Sequence, residues 1–207
     1  MAVMTLFCAF TPVCAEHIVE DPVTGSYLVD EEGNVYPVEV TLVDTGTNSQ
    51  TGECSLTYQY DILLPGHMSQ PVNLNGGTQN NLNNLTINDG DCYGTMRGWL
   101  TINYSTSGSS YLLYSVKPSW TIFDSSVSVV SRYMIYGCSN MYVTQVDSVY
   151  PYSGITYNTG FTTYVPYDID VELGATLYLT LQSGGSQWDF VLDNRLFRSS
   201  LSIGGRW

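Results

Sequence analysis

Residues 165–192 constrain the fold more than any other part of the chain, because three runs of alternating apolar and polar residues follow one another there, separated by glycine. In the first, Ile169, Val171 and Leu173 alternate with Asp168, Asp170 and Glu172. In the second, Leu177, Leu179 and Leu181 alternate with Thr176, Tyr178, Thr180 and Gln182; in the third, Trp188, Phe190 and Leu192 share a face. Successive side chains leave a strand on opposite faces, so a period of two marks a strand with one face buried. The stretch therefore predicts three antiparallel strands. Reversals are expected at Gly174 and at Gly184-Gly185, where glycine accepts positive φ at small steric cost.

The rest of the chain repeats the pattern more loosely. Residues 26–43 predict a hairpin closed by Glu32-Gly33-Asn34, with Val38, Val40 and Leu42 on one face. Pro37 has no amide proton, so its strand is expected at an edge or starting beyond the proline. A loop over 44–53 leads to a strand over 54–64, in which Leu56, Tyr58 and Tyr60 share a face. Further strands are expected near 99–104, over 111–123 with a break at Pro118, over 126–136 with Val127, Val129, Tyr133 and Ile135 on one face, and over 141–150. Trp99, Trp120 and Trp188 read as core. The count is roughly nine or ten strands, the spacing expected of an all-β, antiparallel β-sandwich of jelly-roll-like form.

In 207 residues this is one domain over 16–207, interrupted by a long loop over 69–91 that holds seven asparagines. Asparagine bonds its own backbone and competes with regular structure, and long loops are often functional, so Asn80, Asn81 and Asn83 are candidate binding residues. Residues 1–15 carry no charge and end Val13-Cys14-Ala15, the small-residue layout of a cleavage site before Glu16. They read either as a signal peptide, although no Lys or Arg precedes the apolar run, or as an N-terminal arm. Removing them would leave Cys54, Cys92 and Cys138, whose spacing matches no zinc pattern. One disulfide with one remaining thiol, or three buried thiols, both fit.

Composition narrows the partners. With 19 acidic against 6 basic residues the formal charge is −13, and only 12% of residues are charged against 13% aromatic, with 17 Tyr. Nucleic acid is excluded as a direct partner, since that affinity comes largely from clustered Lys and Arg on phosphate. No segment has the run of apolar residues, about 18–20 long, of a membrane-spanning helix.

Candidate chemistry is sparse. The two histidines, His17 and His67, accompany no nucleophile motif, so the chain reads as non-enzymatic. Asp168, Asp170 and Glu172 would stand on one strand face at about 6.5–7 Å intervals, which suits a solvated edge, a calcium site or paired catalytic carboxylates. Asn88-Asp89-Gly90-Asp91 has calcium-loop residues without the acidic residue that completes such a loop. Calcium is thus the one cofactor to consider. Two glycosylation sequons, Asn84-Leu85-Thr86 and Asn103-Tyr104-Ser105, occur. The most distinctive inventory is Tyr150, Tyr152, Tyr157, Tyr164 and Tyr167 in a loop-like stretch, because rigid amphipathic rings supply contact area at low entropic cost.

The expectation that follows is a structural or attachment component of a virion or other extracellular assembly, contacting copies of itself or other subunits. A secreted carbohydrate-binding module, with glycan partners on the 69–91 and 150–167 loops, is the alternative. An outer-membrane β-barrel is the third reading, suggested by the terminal Trp207 with Leu201 and Ile203 before it and by the scarcity of lysine.

Overall fold

The computed structural model describes residues 26–48, 51–64, 95–168 and 171–197, with the backbone alone for Pro37 and Phe197. Residues 1–15, the 69–91 loop with Asn80, Asn81 and Asn83, Asp170, both histidines and the C-terminal aromatic run lie outside the described residues. Twelve strands follow in order: β1 Tyr27–Asp30, β2 Val35–Pro37, β3 Glu39–Thr47, β4 Glu53–Ile62, β5 Met96–Ser107 and β6 Ser110–Ile122, then β7 Ser128–Ser139, β8 Thr144–Val149, β9 Tyr157–Asn158, β10 Val165–Pro166, β11 Glu172–Ser183 and β12 Ser186–Phe197. They form two antiparallel sheets. The first has the order β2-β1-β12-β11-β7-β8 and the second β10-β6-β5-β4-β3, with β9 also paired to β6. The inner faces pack into one apolar core, so the chain is an antiparallel β-sandwich. Since β2, β9 and β10 have only two or three residues, nine longer strands remain among the described residues, against the nine or ten expected. No helix among the described residues is long and apolar enough to cross a membrane.

Alternation sets the faces. On β4, Leu56, Tyr58, Tyr60 and Ile62 are buried while Thr57, Gln59 and Asp61 face outward; on β11, Leu173 to Leu181 do the same against Thr176, Tyr178 and Thr180. Gly184 and Gly185 (φ 60° and 103°) make the two-residue turn between β11 and β12, and Gly33 (φ 83°) closes β1–β2. Asp30 holds that first turn: its carboxylate accepts the Glu32 and Asn34 N–H groups, the Asn34 amide and the Tyr36 hydroxyl. These bonds, the Asn34 amide foremost, keep its carboxyl below the usual range.

Buried side chains tie the sheets together through polar atoms, among them Cys138 of β7, whose thiol reaches the Tyr111 carbonyl of β6 at 3.5 Å. Asn194 on β12, wholly buried, donates from Nδ2 to the Leu56 carbonyl (3.1 Å) and the Leu100 carbonyl (2.6 Å) of the opposite sheet. Tyr60 donates its hydroxyl to the Asp193 carbonyl at 2.8 Å.

Several local expectations are corrected. Gly174 is not a turn: β11 runs through it, and a Cβ there would stand 2.6 Å from Arg195 Cα and nearer still to the Asn194 carbonyl oxygen. The residue is glycine because β12, bulged at Leu196, crosses too close for a side chain. β11 begins at Glu172 rather than at Asp168, and the Val171 N–H returns to the Asp168 carbonyl (3.3 Å). The region 111–123 is unbroken at Pro118. The Gly154 N–H reaches the Pro118 carbonyl, so that residue's backbone polar side faces away from β5 and its missing N–H costs no ladder bond. On β7, Val130 is an extra residue opposite the Thr180/Leu181 step; beyond it the inward set is Met134, Tyr136 and Cys138, and Tyr133 and Ile135 turn outward. β3 continues to Thr47 where a loop was expected. Trp188 is core, Trp120 packs against the core from a half-buried position, and Trp99 lies on the outer face with its Nε1–H donated to Gln59.

Candidate functional site

The five tyrosines of the 150–167 stretch do not form one patch. The segment after β8 leaves the edge of the first sheet and docks on β6 at the edge of the second. Bonds from Gly154 to Pro118, Thr159 to Tyr114 and Tyr167 to Ser109, each 2.8 Å, hold it there. Gln145 of β8 donates to the Thr163 carbonyl at 2.7 Å. Tyr150 and Tyr152 stand out at 72% and 63% exposure. Tyr157 is half-buried, its hydroxyl accepting the Tyr152 N–H (2.7 Å). Tyr164 shares a 2.8 Å hydrogen bond with Ser105 Oγ, and the Tyr167 ring lies 6.3 Å from that of Tyr111, near the start of β6.

Tyr150 belongs to a larger arrangement. Register places Tyr27 opposite Val191, Val191 opposite Tyr178, and Tyr178 opposite Tyr133, so these four share one row across β1, β12, β11 and β7. Their side chains all leave the outer face of the first sheet, because directly paired residues of an antiparallel ladder point the same way. Tyr150 extends the row, with ring centroids 5.5 Å from Tyr133; Tyr133 is 6.3 Å from Tyr178. Val191, although on the outside, is only 6% exposed and has a tyrosine on either side in register. Around the sheet edge the Arg132 guanidinium sits 4.2 Å over the Tyr152 ring, a cation–π contact. Tyr178 was legible as an outward residue, whereas the row could not be found without the pairing. The most exposed described tyrosine, Tyr142 at 80%, lies in the β7–β8 turn and carried no sequence signal.

The second sheet carries a different row. Gly46, Ser55, Asn103, Ser115 and Asn158 stand in register across β3, β4, β5, β6 and β9. Asn103, of the second sequon, donates Nδ2 to Ser115 Oγ (3.0 Å), and Ser55 Oγ accepts the Gly46 N–H (3.1 Å). Two shallow clefts, of about 360 and 390 Å³, meet at Glu53 and Asn103 on this row. Tyr114 stands at the edge of one as an extra residue of β6, since Leu113 and Ser115 are opposite consecutive residues of β5. Thr159 locks the wall by donating Oγ1 to the Leu113 carbonyl at 2.6 Å.

Of the three carboxylates, the two that are described, Asp168 and Glu172, hold different partners. Asp168 accepts from Asn140 Nδ2 at 3.0 Å, and Glu172 lies 3.9 Å from Arg195 Nη1. Arg195 also donates to Asp193 Oδ1 (2.9 Å) and to Thr176 Oγ1 (3.0 Å), filling the outward place that Gly174 leaves empty. Among the described residues no group of three or more His, Cys, Asp and Glu is placed to hold a metal ion. Cys54 is disulfide-bonded, with its partner outside the described residues. Cys138 is a free thiol in the core, and burial pushes it up to about 12. Burial likewise raises Tyr104, Tyr111 and Tyr136 above the usual phenol range. These groups are held neutral, as packing elements rather than reactive ones.

No protein-family model matches the chain, and neither a curated protein nor a solved structure matches it.

Proposed function

We propose that this chain is a non-enzymatic structural or attachment component of an extracellular or virion assembly, acting through protein–protein contacts made by the outer face of its first sheet. The carrying observation is the aromatic row Tyr27, Tyr178, Tyr133 and Tyr150. Its rings rest on a hydrogen-bonded sheet, and those of Tyr150, Tyr133 and Tyr178 on one another, so their orientation is largely fixed before any partner arrives and little side-chain entropy is lost on contact. The row is uncharged. Two copies of a −13 chain can meet there without pairing like charges directly, and their long-range repulsion is screened beyond about 8 Å at physiological salt. The disulfide at Cys54 supports a location outside the reducing cytosol.

Sedimentation velocity across protein and salt concentration tests this reading. The expected result is self-association that strengthens as salt is raised and is lost in Tyr133→Ala/Tyr150→Ala. A wild-type monomer at every concentration, or a double variant that assembles unchanged, would refute it.

A further inference from the structure

We propose that the outer face of the second sheet binds a neutral, linear oligosaccharide laid across the strands along Ser55, Asn103, Ser115 and Asn158. This site is separate from the aromatic row on the opposite face. The four residues are successive members of one register row, so hydroxyl and amide groups repeat at the inter-strand spacing of about 4.8 Å, close to the length of one pyranose unit. Ser115, only 8% exposed, serves as the post that holds the Asn103 amide, while Ser55, Asn103 and Asn158 stand open to the ligand with groups that both donate and accept hydrogen bonds, as sugar hydroxyls do. The Asn103–Ser115 bond fixes the orientation of the Asn103 amide and uses one of its two N–H donors, which leaves the other N–H and the Oδ1 acceptor for ligand hydroxyls.

The clefts supply the remaining parts. Glu53, shared by both, accepts from hydroxyl pairs. Tyr114 is re-aimed by the bulge that contains it, and with Phe161 it gives apolar ring surface to the C–H face of a sugar. Gly160, in the left-handed region at φ 70°, presents backbone without a side chain at the same rim. Neither cleft is lined by Lys, Arg or His. Among the described residues, the cations on this face are Lys117, two residues along β6 from Ser115, and Arg97, further along β5 and already paired with Asp61, so an anionic ligand would meet Glu53 and the overall −13 charge with little to offset them. The ligand class with many hydroxyls, no charge and an extended shape is the neutral glycan.

The test is a heteronuclear NMR titration of full-length protein made in bacteria, where Asn103 stays unglycosylated. The probes are cellohexaose, xylohexaose, chitohexaose and a heparin-derived hexasaccharide, each to about 10 mM, above the roughly 1 mM dissociation constant of a weak specific site. The expected result is saturable shifts of the Asn103 and Asn158 side-chain amides with at least one neutral probe. Asn158→Ala and Tyr114→Ala, both at exposed positions, should each weaken that binding about tenfold or more. Tyr150→Ala, on the other face, should bind as wild type. The proposal is overturned if no neutral probe shifts those amides, if the heparin fragment binds most tightly, or if both cleft variants, with otherwise unchanged spectra, bind as wild type.

Discussion

Replacing Gly174 by alanine should be among the most damaging single-methyl changes available to this chain. The added Cβ would sit 2.6 Å from Arg195 Cα and 2.9 Å from Arg195 Cγ, and closer still to the Asn194 carbonyl. Carbon atoms prefer about 3.5–4.0 Å, so about 1 Å must be found, and the obstructing atoms are largely backbone. Overpacking of this kind typically costs about 1–3 kcal/mol. Pushing β12 away also disturbs Arg195, whose bonds to Asp193 and Thr176 are mostly buried, and losing one buried charge-assisted bond adds about 1.5–3 kcal/mol. The sum is about 4 kcal/mol, or a fall in Tm of about 8–16 °C for a domain of this size. Gly98→Ala is the control. Its new methyl meets Leu192 Cδ2 at 2.6 Å, but that is the mobile end of a side chain that can rotate, so about 1 kcal/mol is expected. Urea and thermal unfolding of both variants decide the matter: Gly174→Ala as stable as Gly98→Ala would show that the two strands separate freely at the bulge.

Asn194→Ala removes the donor that serves the Leu56 and Leu100 carbonyls, and should cost about 3 kcal/mol in urea unfolding; an unchanged midpoint would mean the inter-sheet bonds contribute nothing. Cys138, buried and held near 12, should resist iodoacetamide at mildly alkaline pH and react once the chain is unfolded in guanidinium, as read by peptide mass mapping. Asp30 has a folded-state pKa below its ordinary 3.8, so its contribution is present above that value and lost as pH falls through the folded pKa. The Asn34 amide signal should therefore move in acid below that window, and Asp30→Asn should abolish the transition.

What could be read in advance follows from which interactions are local. In β4, β5 and β11, alternation alone assigns Tyr58, Leu100 and Leu177 inward and Gln59, Thr101 and Tyr178 outward, because a strand's faces are set by its own backbone. The Gly33 and Gly184-Gly185 turns are legible for the same reason. β7 shows the limit: a single inserted residue, Val130, inverts the faces on one side of it, and nothing in the local pattern separates Tyr133 from the core residues it was grouped with. Gly174 misled because glycine serves reversals and close approaches equally well, and only the position of β12 distinguishes them.

The same division applies to the surfaces. The sequence by itself determined an all-β sandwich with an aromatic, sparsely charged exterior, since composition and period are properties of the chain. It could not say which tyrosines or asparagines stand together. The row Tyr27–Val191–Tyr178–Tyr133 joins residues from both ends of the chain through the β1–β12 and β7–β11 pairings, and Ser55–Asn103–Ser115–Asn158 depends on β9 docking beside β6. Membership of a row is decided by long-range register, which is fixed only when the two sheets close over a common core and each strand must bury its apolar face.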